Sequence, residues 1–276
     1  MATLTTRTGE VAYCQTGAGR PVLLLHATLH DRHDFDPIIE ALARRRRVVA
    51  VDWPGHGESQ SADGVTGPLL ADVLEDIVDA LNLEDVVLIG NSVGGSAAAR
   101  LAITRPELVK GLVLVNTGGF VPNTPVTAAF CRLMGTEAVT RRVMPRFVRA
   151  YMKAQTPSDE SIVARAVARA RTDDGVRTAA SLWRSFATPE YDLRDRAHRN
   201  TAPTLIVWGD RDPTLSLRIG RATQQAIPGS ALHVLHTGHV VFSSDPTGFL
   251  RVVEPFLEGV DRRPPRRPAD QTILGE

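Results

Sequence analysis

The sequence predicts an α/β protein: a mostly parallel sheet with helices on both faces, interrupted by an inserted helical segment. Three observations carry this. First, short apolar runs recur along the chain, among them PVLLLH (21–26), VVAVD (48–52), VVLI (86–89), GLVLVN (111–116) and PTLIVWG (203–209). Each is continuous rather than alternating, which is the signature of strands buried on both faces. Second, helical segments separate the runs, and that alternation implies right-handed crossovers between parallel strands. Third, the rhythm stops between residues 120 and 199, where helical segments follow one another with no strand, and then resumes.

In order, residues 4–15 suggest two strands turning at Thr8-Gly9-Glu10. The run at 21–26 is a central strand, and the polar loop 27–34 after it carries Thr28, His30 and His33. Phe35, Ile38, Ile39 and Leu42 share one face of a helix predicted over 35–44. The basic run at 44–47 reads as its solvated end. Strand 48–52 leads into the turn-rich WPGHGES at 53–59, and an amphipathic helix follows over 68–81. Strand 86–89, a glycine-rich bend, a small-residue helix and strand 111–116 come next. Inside the insertion, helices are predicted over 128–149, 161–171 and 176–186, punctuated by Pro122, Pro125, Pro145, Pro157 and Pro189. Strand 203–209, helix 216–226, strand 232–235 and helix 243–257 complete the fold. The expected organisation is a core of 1–119 and 200–260, with 120–199 as a helical cap over the strand ends. The Pro- and Arg-rich stretch 261–276 is expected to be a disordered tail.

Composition narrows the function. At 276 residues the chain suits one domain with an insertion, and a formal net charge of +1 gives no reason to expect a polyanionic partner. Cys14 and Cys131 are isolated and make neither a disulfide framework nor a metal motif. The N-terminal MATLTTRTGE has no apolar signal core, and no apolar run is long enough to span a bilayer. A cytoplasmic location is therefore expected. The expected partner is a small-molecule substrate, with no nucleic acid, no membrane, no metal and no cofactor. The sequence leaves room for a homodimer.

The stretch VVLIGNSVGGSAAAR (86–100) carries the chemistry. A buried strand turns sharply into a helix, and Ser92 sits at the bend in a Gly-x-Ser-x-Gly pattern, the nucleophile elbow. The flanking glycines leave room where strand and helix converge, and the strained serine projects above the strand ends. The Val93 amide, at the helix N-terminus, then lies close to any oxygen on the attacked carbon. The bare pattern recurs by chance roughly once in ten chains of this size, so the other motifs must support it. A serine hydroxyl needs a base, and the base needs an orienting acid. WGDRDP (208–213) follows one strand and HTGHVVF (236–242) the next. Asp212 and Asp210 are the candidate acids, and His239 and His236 the candidate bases. His26 and His56 read as structural histidines, His30 and His33 as exposed loop residues, and His198 and His233 carry no signal.

These motifs together resemble the α/β-hydrolase superfamily over nearly the whole chain. The matching pieces are the strand ending in His26, DWPGHGES (52–59), the elbow at 90–95, WGDRDP, and Gly238-His239 followed by Asp245-Pro246 and Phe249. The resemblance implies a mostly parallel eight-stranded sheet and assigns Ser92 as nucleophile, His239 as base and Asp212 as orienting acid. It also implies an oxyanion hole made by the Val93 and Thr28 amides. Relatives carry His-Gly where this chain has His26-Ala27, and alanine at positive φ costs about 1 kcal/mol. Either this loop adopts an ordinary conformation or the hole is shaped differently. Ala27, Met134, Trp183, Phe186 and Val240 are the expected substrate-binding residues.

A serine at the elbow disfavours the haloalkane dehalogenases and epoxide hydrolases of this fold, which use aspartate there. Hydrolysis of an ester or lactone through an acyl-enzyme is the expected reaction, as in the esterase, lactonase and cofactor-free haloperoxidase group. The NSVGG elbow also resembles that of hydrolases cleaving carbon–carbon bonds in ring-fission products. Those relatives usually have a Gly-rich loop after the first His and a Trp after the catalytic His, where this chain has Ala27-Thr28-Leu29 and Val240. A catalytically weak binding member of the fold is the third reading. The insertion holds fourteen basic and eight acidic residues. Its arginines either cover a solvated surface or clamp a substrate carboxylate.

Overall fold

The computed structural model describes residues 1–263. Its strands are β1 (Ala2–Thr6), β2 (Gly9–Thr16), β3 (Pro21–Leu25), β4 (Arg47–Val51), β5 (Val86–Asn91), β6 (Val109–Val115), β7 (Thr204–Gly209) and β8 (Ala231–Leu235). They form one sheet in the order β1-β2-β4-β3-β5-β6-β7-β8. Among the described residues, the antiparallel pairs are β1 with β2 and β2 with β4. Elsewhere the register is parallel, with Leu24 opposite Ala50 and Ile89, and Val113 opposite Ile89 and Leu205. The central β5 is buried along its whole length, as its apolar run Val86–Ile89 predicts.

The helices are α1 (Asp36–Ala43), α2 (Gly67–Ala80), α3 (Val93–Thr104), α4 (Pro125–Met134), α5 (Glu137–Met152), α6 (Pro157–Arg169), α7 (Asp173–Ser185), α8 (Leu217–Ala226), α9 (Val241–Ser244) and α10 (Pro246–Asp261). Side chains of α2, α3 and α8 close one face of the sheet. Those of α1, α9 and α10 close the other, where Phe35 stacks on Phe242 at 4.4 Å. The inserted helices do not form a core of their own. Met144, Val148, Met152 and Ile162 belong to the same apolar cluster as Leu24 and Val115 of the sheet.

Several boundaries differ from the sequence reading. The helix expected over 128–149 is two helices. Glycine has poor helix propensity, and α4 stops at Gly135; Thr136, in extended backbone, then starts α5. Pro145, within the helix expected over 128–149, sits inside α5. The helix expected over 243–257 is broken at Asp245, whose carboxylate caps α10 by accepting from the Gly248 amide at 2.8 Å. Asp261, assigned to the tail, is the last residue of α10. The rest of the tail reading, 264–276, lies outside the described residues. Among the described residues no helix is long and apolar enough to cross a membrane.

Candidate active site

Ser92 joins β5 to α3 with φ 55° and ψ −116°. A non-glycine residue in this region is strained, and the surroundings hold it there. The Ser92 amide donates to Val115 O at 3.1 Å, and Ser92 O accepts from the Gly118 amide at 3.0 Å. The glycine requirement is steric. A Cβ on Gly90 would lie 2.5 Å from Gly94 O, and one on Gly94 would lie 2.3 Å from Leu25 O. Val93 is the first residue of α3, where the amide has no intrahelical acceptor.

His239 follows β8 in sequence, and Asp212 follows β7. His239 Nδ1 and Asp212 Oδ2 are 2.5 Å apart, with both side chains buried. Asp212 is a carboxylate with four donors. Oδ1 accepts from the Thr214 and Leu215 amides at 2.8 and 3.2 Å. Oδ2 accepts from Asn116 Nδ2 at 2.8 Å as well as from the imidazole. Burial works to raise its pKa. The charge and hydrogen bond of His239, together with the Thr214 amide and Asn116, outweigh burial and hold it below the ordinary value. The carboxylate accepts from Nδ1–H, so Nε2 of the neutral ring is left as the acceptor.

A cavity of about 330 Å³ opens over these residues, and Ser92, His239, Ala27 and Thr28 line it. Among the described residues, Ser92 and His239 are not hydrogen bonded to each other. Such contacts are often loose before substrate binds. The inserted helices supply an aromatic wall. Trp183 meets Phe130, Phe147 and Phe186 edge to face at 5.5–5.8 Å, and Tyr151 in turn meets His239 at 5.0 Å. Among the described residues, no lysine or arginine lines the cavity. Among the described residues, the one carboxylate in the lining, Asp192, is paired with Arg194.

The other candidates fall elsewhere. Asp210 and His236 pair with each other at 3.0 Å on the surface, outside the cavity lining. His26 Nε2 accepts from the Trp53 amide at 2.9 Å while Nδ1 donates to Ala27 O. Burial depresses its pKa and lowers that of His56 further. His33 is exposed, but His30 is not: it is 1% exposed, correcting the surface assignment. Trp183, Phe186 and Ala27 line the cavity, whereas Met134 and Val240 do not. Both are packed into the apolar core, because α4 turns Met134 inward and Val240 lies at the buried start of α9. Ala27 takes ordinary backbone, and the left-handed residue of its loop is Leu29 at φ 71°. Several of the insertion's arginines serve in surface pairs and backbone bonds, such as Arg141–Asp173, Arg177–Asp174 and Arg184 to Gly135 O, while Arg165 pairs with Asp31 and the buried Asp34 of the core.

The family model for the alpha/beta hydrolase fold matches residues 20–246. The chain belongs to this family. It is 33% identical over 263 residues to a 2-hydroxy-6-oxo-2,4-heptadienoate hydrolase of Pseudomonas putida, a match covering 89% of this chain and 91% of the relative. A thermophilic esterase from Thermogutta terrifontis superposes with a TM-score of 0.80 at 26% identity, covering 94% of this chain and 98% of that one. An enol-lactonase from Burkholderia xenovorans, at TM-score 0.76, 24% identity and coverage of 93% and 100%, shares the fold. The protein is thus a hydrolase, and the eight-stranded sheet anticipated from the motifs is the family's.

Two asparagines without a chemical role in the sequence reading hold this hydrolase's loops together. Asn91 Nδ2 donates to Val115 O at 3.0 Å and His239 O at 3.1 Å, tying the elbow strand to the histidine loop. Asn116, at φ 35°, accepts from the Gly209 amide at 2.7 Å and donates to Asp212. Asn91 ends β5 within the NSVGG elbow and Asn116 directly follows β6, both at the sheet's carboxyl edge, and those positions were the signals available.

Proposed function

We propose that the chain is a serine hydrolase of small carboxylic esters or lactones with an uncharged, apolar acyl group. Ser92 Oγ attacks the acyl carbon as its proton passes to His239 Nε2, while Asp212 accepts from Nδ1–H and stabilises the imidazolium. The Val93 and Thr28 amides donate to the oxyanion. Collapse of the intermediate breaks the acyl–oxygen bond, and the leaving alkoxide takes the proton from His239. In a lactone that alcohol stays attached to the acyl chain. Water then attacks the acyl-enzyme, His239 accepts the water's proton, and Ser92 Oγ leaves and is reprotonated.

The observation that carries this reading is the meeting of a strained serine and a buried imidazole–carboxylate pair on one aromatic cavity without a lysine or arginine in its lining. Carbon–carbon bond hydrolysis is the second reading, favoured by the 33% identity to the P. putida hydrolase. That relative is named for a carboxylate substrate, and the cationic partner a carboxylate calls for is missing among the described lining residues, so the ester reading ranks first.

A fluorophosphonate probe tests the nucleophile: it should label the native protein and not Ser92→Ala. Labelling that survives in Ser92→Ala refutes the assignment. A panel of aryl and alkyl esters, lactones and vinylogous diketones ranks the substrates. Faster turnover of the diketones than of any ester would select the second reading.

A further inference from the structure

The structure contains a second buried imidazole–carboxylate pair that the proposed reaction does not use. His30 Nδ1 and Asp34 Oδ2 are 2.5 Å apart, and both side chains are excluded from solvent. Arg165 of α6 donates to Asp34 Oδ1 at 3.1 Å, so the carboxylate is held from both sides. On the other edge of the ring, His30 Nε2 lies 2.8 Å from the hydroxyl of Tyr151. Asp34 accepts from Nδ1–H, which leaves Nε2 to accept from the phenol; the tautomer follows from the partners. The phenol keeps its proton, because burial and the nearby Asp34 and Asp212 carboxylates push its pKa well above the ordinary range.

Tyr151 touches the catalytic loop in two ways. Its ring meets the His239 ring edge to face at 5.0 Å, and its carbonyl accepts from the His239 amide at 3.1 Å. It also stands at the carboxyl end of α5, which Lys153 terminates in the left-handed region. The negative end of the helix dipole therefore lies beside the base. The approach is close by design of the loop: a Cβ on Gly238 would lie 1.9 Å from Met152 O.

We infer that Tyr151 is a positioning residue for His239, fixed from behind by the His30–Asp34 pair, so that an inserted helix sets the orientation of the base. The inference rests on the serine-hydrolase reading above. A plain fastening between insertion and core would require the same contacts to support stability alone. Positioning requires that they alter the reactivity of Ser92.

The test is the second-order rate of labelling of Ser92 by a small alkyl fluorophosphonate, which reports the serine–imidazole pair without depending on recognition of the natural substrate. Tyr151→Phe keeps the ring and removes the anchor; His30→Ala removes the anchor's partner. Each should slow labelling at least tenfold, and the double variant should be no slower than the worse single one, because both break one link. His30→Gln, which restores an acceptor, should recover part of the rate. Thermal melting and the far-downfield proton signal of His239 Nδ1–H separate a misfolded variant from a misoriented base. The signal should shift in Tyr151→Phe while the protein stays folded. Native labelling rates in Tyr151→Phe, an unshifted signal, or multiplicative losses in the double variant overturn the inference. Failure of the native protein to label at Ser92 overturns the serine-hydrolase reading itself, and the inference falls with it; that result appears in the native arm alone.

Discussion

Replacing Asp212 by Asn is the most informative single change at the proposed relay. The geometry dictates how the new side chain sits. The Oδ1 site faces two backbone amides, those of Thr214 and Leu215, and only an oxygen can accept from them. The amide NH2 is thereby driven into the Oδ2 site, facing His239 Nδ1 and Asn116 Nδ2. There it must donate to Nδ1, which forces the imidazole proton onto Nε2, the nitrogen required to accept from Ser92. Loss of the working tautomer costs on the order of 10⁴ in kcat in a Ser-His-Asp relay. The displaced Asn116 donor adds about 1–3 kcal/mol of lost stability through an unpaired buried N–H. The assay is the initial rate on an activated aryl ester with Ser92→Ala as the baseline, alongside thermal melting. Activity of Asp212→Asn within tenfold of native, or an equal loss in Asp210→Asn, refutes the reasoning.

Three further outcomes follow from the same contacts. Asp212 titrates below its ordinary value of 3.8 in the folded state, so its charge contributes stability that is complete above that pH and lost as pH falls through the lower folded pKa; the melting difference between native and Asp212→Asn should therefore be full at neutral pH and shrink below about pH 4. Gly238→Ala must displace Met152 O from a 1.9 Å contact, which should lower stability by about 1–3 kcal/mol and slow Ser92 labelling; an unchanged melting point and rate count against the tight approach of α5. Thr28 Oγ1 is buried without a hydrogen-bond partner among the described residues, so Thr28→Val should leave the melting point equal or higher while the backbone amide, and with it kcat within about threefold, is retained; a large loss of activity would assign the hydroxyl itself a role.

Much of the scaffold was legible because its signals are local. Largely apolar runs mark β3 to β7, since a strand covered on both faces has few positions where a polar side chain finds a partner. The elbow is legible because glycines at 90 and 94 answer a steric demand within a few residues of Ser92. Helix ends inside the insertion were less legible, because the apolar periodicity over 128–149 runs on through Gly135 and Thr136, where the chain in fact leaves one helix and starts the next. Met134 and Val240 show the same limit, since the face a side chain turns to the cavity depends on how a helix is rotated against the sheet.

The sequence by itself determined the α/β class, the sharp bend at Ser92 and the identity of the residues with chemistry to offer, because propensity, periodicity and steric demand act over a few neighbours. Only the tertiary structure decided which of them meet. It paired His239 with Asp212 and set Asp210 with His236 on the surface. It also buried His30 against a tyrosine 121 residues away. The physical reason is that burial and hydrogen-bond partnership belong to the packed chain: a histidine in a polar loop carries no mark of the helix that will come to cover it.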